Sequence, residues 1–294
     1  MPGRAKTSVH STRPDELSSI FQPPPAQPAF AAGQGAPSEA VGSGGVSTFL
    51  VPSGITLTAS LPFTNWALAV VAAYAIEFFD DAVKSAADVK RILDIPGVGE
   101  VGDFPQGKDP WSYVLEEPRS PVAHAFRVLR TNLDLLDPDT PLHSFLITSA
   151  GISEGKSTIS ANLAVVLSQG DRKVICVDAD FHRPMLHNAV SIDNEHGFSD
   201  VFKGSMSLQD VLVPWNAGKL KLIPAGPMPA NPSELLESKK MEELLESLQS
   251  MADVVVLDGP PFFLSDASAL STKVDCVVLV VRPGYTRKDA LRAL

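Results

Sequence analysis

The chain has 294 residues, 44% hydrophobic and 20% charged, enough to bury a sizeable core and ordinary for an α/β protein. Its formal net charge of -10 leaves no basic face for general nucleic-acid binding, so no nucleic-acid partner is expected. Cys176 and Cys276 each lie inside an apolar run, too far apart for a zinc knuckle, and are expected to pack as small hydrophobes in a reducing compartment.

The amino-terminal segment contains Pro23-Pro24-Pro25 and Gly42-Ser43-Gly44-Gly45 and is rich in Pro, Gly, Ser and Ala. Such a segment buries too little apolar surface to offset its ordering entropy, so residues 1–54 are predicted to be disordered. The layout of a secretory signal is absent from it.

No charged residue occurs from Ala40 to Ile76. The stretch from Ile55 to Ile76 is 22 residues long, enough to cross a bilayer, although Pro62, Thr64 and Asn65 interrupt it. Residues 55–79 are therefore read as a transmembrane helix, with a buried or interfacial helix as the alternative. Glu77, Asp80 and Asp81 follow at once, so flanking charge says little about orientation. Residues 80–117 form a juxtamembrane stretch, with a helix predicted over Asp80 to Leu93 and then a Pro/Gly linker. An amphipathic helix follows between Pro118 and Leu136, where Phe126, Leu129, Arg130 and Leu133 recur at helical spacing.

The rest of the chain alternates strand and helix signals. Short Val/Ile/Leu-rich runs predict strands at 144–149, 173–178, 220–223, 253–257 and 275–281. Helices are predicted at 156–168, 207–212, 233–250, about 266–271 and from near Arg287. This alternation predicts an α/β fold, a mostly parallel twisted sheet with helices on both faces, whose ligands sit at the carboxyl ends of the strands.

Three elements fall at those ends. After the apolar run Phe145-Leu146-Ile147 comes Ala150-Gly151-Ile152-Ser153-Glu154-Gly155-Lys156-Ser157-Thr158, a phosphate-binding loop opening a helix. Its backbone N–H groups and the helix start form an anion nest, Lys156 adds a point charge, and the Ser157 hydroxyl is a Mg2+ ligand. Gly151, Ser153, Glu154, Gly155, Lys156, Ser157 and Thr158 are the expected nucleotide contacts. The strand ending in Asp178-Ala179-Asp180 and the strand ending in Asp258-Gly259-Pro260-Pro261 supply carboxylates that can hold Mg2+ or orient an attacking hydroxyl. A lone Gly-Lys-Ser could be a helix start and a lone strand-terminal Asp a turn, but the ordered set points to a P-loop NTPase that uses ATP and Mg2+.

These residues resemble the bacterial tyrosine kinase (BY-kinase) family of capsule and exopolysaccharide systems. The likeness runs from Ser120 to Asn132, through the Walker A loop at Thr148 to Thr158, and through Asp178-Ala179-Asp180-Phe181-His182-Arg183-Pro184. It continues in Asp258-Gly259-Pro260-Pro261 with Asp266 and in Val281-Arg282-Pro283-Gly284. The resemblance implies an ATP-dependent protein-tyrosine kinase domain at 118–294, at the cytoplasmic side of the plasma (inner) membrane. Its partners would be a tyrosine-containing protein substrate and polysaccharide export or polymerase membrane proteins. It also likens residues 66–109 to the second membrane helix and linker of a Wzz-like chain-length determinant, and the chain as it stands lacks the first helix and the domain between them. By the same analogy Lys156 contacts the β- and γ-phosphates and Ser157 ligates Mg2+. Asp178 is the base or orienter for the tyrosine hydroxyl, and Asp180 and Asp258 assist the metal.

Two departures from the family stand out. The family's Glu, Arg, Arg pattern, which packs subunits into a ring, reads His124, Arg127, Arg130 here, so the arginines lose an anionic partner and ring assembly as a homo-oligomer is in doubt. The family's tyrosine-rich tail is also missing, leaving Tyr74, Tyr113 and Tyr285. A non-catalytic, nucleotide-binding regulatory subunit is therefore the second reading. A partitioning ATPase of the MinD/ParA type is the third, opposed by the absence of lysine in Gly151-Ile152-Ser153-Glu154.

Overall fold

Two strands near the amino terminus, β1 (Ser47–Leu50) and β2 (Thr56–Ala59), pair antiparallel as a hairpin. The computed structural model describes residues 47–50, 56–59, 81–137, 141–216 and 218–294. The hairpin corrects two expectations. Residues 47–50 are strand rather than part of a disordered segment, and residues 56–59 are strand rather than the first turn of a membrane helix. Thr56-Leu57-Thr58 alternates polar β-branched with apolar residues, a period of two that suits a strand. The remainder of the expected span, and the rest of the amino-terminal segment, lie outside the described residues. Among the described residues no helix is long and apolar enough to cross a membrane.

The chain divides into a unit of residues 1–71 and a unit of residues 72–294. The larger unit is built on a six-stranded sheet of β3 (Ser144–Ser149), β4 (Val174–Asp178), β5 (Val213–Trp215), β6 (Leu220–Ile223), β7 (Val254–Asp258) and β8 (Cys276–Val280). The spatial order is β5-β6-β4-β7-β3-β8. Every pairing is parallel except that of the edge strand β5 with β6. Alternate residues of each central strand feed opposite faces, which is why these runs are apolar without a break. Phe145, Ile147, Val174, Cys176, Val254 and Val256 join one core. Leu146, Ile175, Val177, Val255 and Leu257 join the other.

Helices cover both faces as expected. Beneath the first lie α2 (Tyr113–Glu116), α3 (Pro121–Asp134) and α4 (Lys156–Ser168). The second face is covered by α5 (Phe198–Lys203), α6 (Pro232–Glu237), α7 (Lys239–Met251) and α8 (Ser265–Ser271). Helix α4 is buried almost all round because it sits between the sheet and α3. In α3, Ser120 accepts a 3.1 Å hydrogen bond from the Ala123 N–H and Pro121 opens the first turn, a standard N-terminal cap. At the β8 flank, α1 (Ala86–Leu93) packs on α9 (Lys288–Arg292) around Val83, Ala150 and Leu291.

Three helix expectations change. Residues 233–250 form two helices, because Ser238 takes an extended backbone and its hydroxyl caps α7 at the Met241 N–H, 3.3 Å away. Residues 207–212 are turn, closed by Asp210, whose carboxylate accepts from the Ser207 backbone and hydroxyl. The helix expected from Asp80 begins at Ala86, capped by Ser85. Cys176 is buried, which pushes its thiol well above the usual range, and Cys276 is partly buried; neither is in a disulfide.

Candidate active site

The order β4-β7-β3 brings three chemistry-bearing strand ends side by side at the carboxyl edge of the sheet. Asp178 and Asp258 stand at matching register on adjacent parallel strands, and Ile147, just before the phosphate-binding loop, pairs with Asp258 from the other side. Gly155 closes the loop at φ 95°, a left-handed conformation that disfavours any side chain, and α4 begins at the next residue. Gly259 follows Asp258 where an added Cβ would stand 2.5 Å from the Leu146 Cδ1 atom, so a larger residue there would make the buried Leu146 side chain shift.

Lys156 is the cation of this edge. Its Nζ lies 2.7 Å from Asp180 Oδ2 and 3.3 Å from the Ser157 hydroxyl. Burial works to lower its pKa, but Asp258, Asp180 and Asp178 outweigh burial and hold it above the ordinary lysine range. Lys156 therefore stays charged, as a phosphate ligand must.

Asp178 and Asp258 are both fully buried. Burial pushes the Asp178 carboxyl well above the usual carboxylate range and the neighbouring Asp258 adds to it, against the Leu186 N–H and Lys156. Asp258 is raised by burial too, opposed by Lys156 and by the Ser157 and Ser160 hydroxyls. One oxygen of Asp178 accepts from the Met185 and Leu186 N–H groups, each at 2.9 Å, and the other from the Asp180 N–H at 3.2 Å. It thus ties the end of β4 to a 3-10 turn at Leu186–Val190. Asp180 is organised the same way, its Oδ1 accepting from the His182 and Arg183 N–H groups.

The expected metal residues fit a Mg2+ ion that keeps most of its water. Asp258 Oδ2 is buried with no hydrogen-bond partner, and the buried Ser157 hydroxyl accepts from Lys156 Nζ at 3.3 Å. Among the described residues no group of three or more His, Cys, Asp or Glu could form a protein cage for a metal.

Lys156, Ser157, Asp178, Asp180 and Asp258 thus converge. Gly151, Ser153, Gly155 and Thr158 stand in the loop around Lys156 or in the first turn of α4, and Gly151 and Thr158 are half-buried. Glu154 turns inward instead. Its Oε1 accepts from the Thr286 hydroxyl at 2.7 Å, which in turn accepts from the Arg282 N–H at 2.9 Å. The Arg282 guanidinium also donates to the Ser153 carbonyl at 3.3 Å. Glu154 is accordingly a strut between the Walker loop and the turn after β8. This turn is itself held by residues 81–83, through Gly284 N–H to the Val83 carbonyl and Val83 N–H to the Thr286 carbonyl, both 2.8 Å.

Sequence reasoning missed Ser160, whose hydroxyl donates to Asp258 Oδ1 at 2.8 Å. Its position four residues after Lys156 on the same helix face was the available signal. Also missed was the link of His182 Nε2, 3.0 Å from Asp266 Oδ2, with the Ser233 hydroxyl donating to the other oxygen of Asp266. On α3, His124 is exposed, Arg127 donates to the Pro118 carbonyl at 2.8 Å and Arg130 to the Val166 carbonyl at 2.9 Å. Both arginines find acceptors inside their own chain.

Comparison with known proteins agrees with this geometry. The AAA domain family matches residues 150–294. The tyrosine-protein kinase YwqD of Bacillus subtilis is 38% identical over 176 residues, which cover 60% of this chain and 74% of that protein. The chain belongs to the bacterial tyrosine-protein kinases. Within this kinase family, the tyrosine-protein kinase etk of Escherichia coli is 36% identical over 171 residues, 58% of this chain but 24% of that relative. The chain therefore spans only a part of such long kinases. Among solved structures, the chimerical protein CapA2B2 is 32% identical with TM-score 0.66, covering 71% of this chain and 90% of that one. The kinase domain of E. coli ETK is 30% identical with TM-score 0.64, covering 71% and 87%. The fold is thus the α/β P-loop fold of bacterial kinase domains.

Proposed function

We propose that this chain transfers the γ-phosphoryl group of Mg2+-ATP to tyrosine and thereby regulates exopolysaccharide or capsule synthesis and export. The observation that carries the reading is the Lys156–Asp180 pair beside the Walker loop, next to the buried carboxylates Asp178 and Asp258 on adjacent strands. Lys156 and the N–H groups from Gly151 to Thr158 hold the β- and γ-phosphates. Ser157 and Asp258, with Asp180 through water, hold Mg2+, which when bound neutralises charge developing on the phosphates. An unperturbed tyrosine has a pKa of about 10, so positioning and electrostatics carry more of the barrier than a base does. Asp178 orients the edge through its three N–H bonds, and its raised pKa suits a group that takes up the phenolic proton.

Residues 118–294 form the kinase domain in this reading, 80–117 the juxtamembrane linker, and the uncharged residues between β2 and Ile76 an anchor holding the domain at the inner face of the plasma membrane. Support for the anchor is the uncharged stretch Ala40 to Ile76. Polysaccharide polymerase or export proteins of the membrane are the partners that such a position favours. The hydrogen bonds of Arg127 and Arg130 to carbonyls of their own chain support a kinase that does not rely on that helix face for a ring.

The test is incubation of the purified chain with γ-labelled ATP, Mg2+ and a tyrosine-rich acceptor peptide. Label on tyrosine that is lost in Lys156→Met is the expected result. Tight ATP binding with no phosphotyrosine, even with a membrane activator segment added, would leave the regulatory-subunit reading instead.

A further inference from the structure

The two oxygens of Asp258 have different surroundings. Oδ2 is buried with no hydrogen-bond partner, whereas Oδ1 accepts from the Ser160 hydroxyl at 2.8 Å. Ser160 lies one turn after Lys156 in α4 and has no exposed surface. Leu163 and Leu167 of the same helix share a core with Val254 and Val256 of β7, which holds the hydroxyl against the strand end. The hydroxyl also stands 2.9 Å from the Lys156 carbonyl, the ordinary back-bond of a helical serine. One proton is thus within reach of two acceptors. An ionised carboxylate is the stronger of the two, so the proton lies toward Asp258 whenever that group is charged. With Oδ1 engaged, Asp258 cannot turn about its last bond without losing Ser160, and it presents Oδ2 alone.

We infer that Ser160 is a positioning residue that holds Asp258 to one free oxygen and thereby sets which divalent cation accompanies the nucleotide. The inference deepens the reading of Asp258 as a metal-holding carboxylate and rests on it. Mg2+ keeps several waters and takes one or two carboxylates with phosphate, whereas Ca2+ takes about six to eight oxygens and accepts a carboxylate through one oxygen or both. A carboxylate limited to one oxygen suits the first ion, and one free to offer both suits the second. Removing the hydroxyl releases Asp258 to turn, so the advantage of Mg2+ over Ca2+ shrinks. Groups that orient a metal-holding side chain typically change metal affinity by about tenfold or more when they are lost. Ser160 acts only through Asp258 and needs no contact with nucleotide or acceptor.

The experiment measures ADP binding to the 294-residue chain by calorimetry in EDTA, in Mg2+ and in Ca2+. The parent is expected to bind ADP more tightly with Mg2+ than with Ca2+. Ser160→Ala should lower that ratio roughly three- to tenfold and leave ADP affinity in EDTA unchanged. Ser160→Thr, which keeps the hydroxyl, should hold the parent's ratio, and Ser160→Cys, a weaker donor in the same place, should fall between. The EDTA measurement also reports folding, since binding without metal needs an intact Walker loop. A ratio unchanged in both Ser160→Ala and Ser160→Cys would overturn the inference and leave Asp258 as a metal-holding group. Weaker ADP binding in EDTA in those two variants would overturn it as well, because Ser160 would then act through the Lys156 carbonyl and the loop. A parent that binds ADP equally in EDTA and in Mg2+ would overturn the metal reading together with the inference.

Discussion

The two ends of the central sheet treat charge in opposite ways. At the carboxyl end Asp178, Asp180 and Asp258 are buried around one buried lysine, and burial raises both Asp178 and Asp258. At the amino end the charges stay in water. Exposed Asp275 accepts from the His143 and Ser144 N–H groups, each at 2.8 Å, and exposed Asp253 from the Lys173 N–H at 2.7 Å. Arg172 pairs with Asp134 at 2.8 Å with both side chains more than a third exposed. The amino-end carboxylates finish backbone groups at strand starts and need no further partner. Those at the carboxyl end are held in an arrangement that opposes stability, a pattern typical of sites kept for chemistry.

If this contrast is right, substitutions at the carboxyl end should have large effects of differing kind. The largest is expected for Lys156→Met, which removes the only buried cation of the described edge and should lower transfer to an acceptor peptide at least about 100-fold. Next is Asp178→Ala, which strands the N–H groups of Asp180, Met185 and Leu186. That should destabilise the fold by about 2–4 kcal/mol in urea unfolding, far more than removal of a solvated carboxylate. Full stability in Asp178→Ala would mean that the β4 end needs no such tie.

Much of this edge was legible beforehand because it is written locally. The Walker loop, Asp178-Ala179-Asp180 and Asp258-Gly259-Pro260 each lie at the end of an uninterrupted apolar run, and a parallel sheet brings such ends together. Strands β3 and β6 fall where the apolar runs predict them. What was not legible depends on contacts between distant segments. Nothing near Glu154 announces Thr286, 132 residues away, and Ser160 reads as one more small helix residue until β7 is set beside α4. Strand β5 was missed because three residues with a central proline carry little pattern of their own; pairing with β6 makes them a strand. For the arginines of α3 the sequence showed only that the family's acidic partner is replaced by His124; that the Pro118 and Val166 carbonyls engage them within the chain depends on packing.

A pH comparison sharpens the contrast further. The folded Asp258 carboxyl is raised above its unfolded value, so it binds a proton more tightly in the folded chain. Its stabilising contribution is whole below the unfolded pKa of about 3.9 and is lost as pH rises through the folded pKa. Asp258→Asn, which can still accept from Ser160, should therefore melt higher than the parent at pH 8, by about 2–4 °C per kcal/mol relieved, with the gain shrinking toward pH 4. Nucleotide-dependent transfer should fall in the same variant, so stability and activity move in opposite directions. A gain independent of pH would show that ionisation of Asp258 is not what strains the edge.

The smallest effect should come from the other end. Arg172→Ala removes an ion pair whose partners both keep water, and such pairs contribute about 0–1 kcal/mol, further reduced by salt. Urea unfolding of this variant should match the parent within about 0.5 kcal/mol, with transfer to the peptide unchanged. The discriminating measurement is the double variant with Asp134→Ala, because two solvated partners should show almost no coupling in a mutant cycle. A coupling above about 1 kcal/mol would mean that the Arg172–Asp134 pair is shielded as the charges of the carboxyl end are, and the division between the two ends would fail.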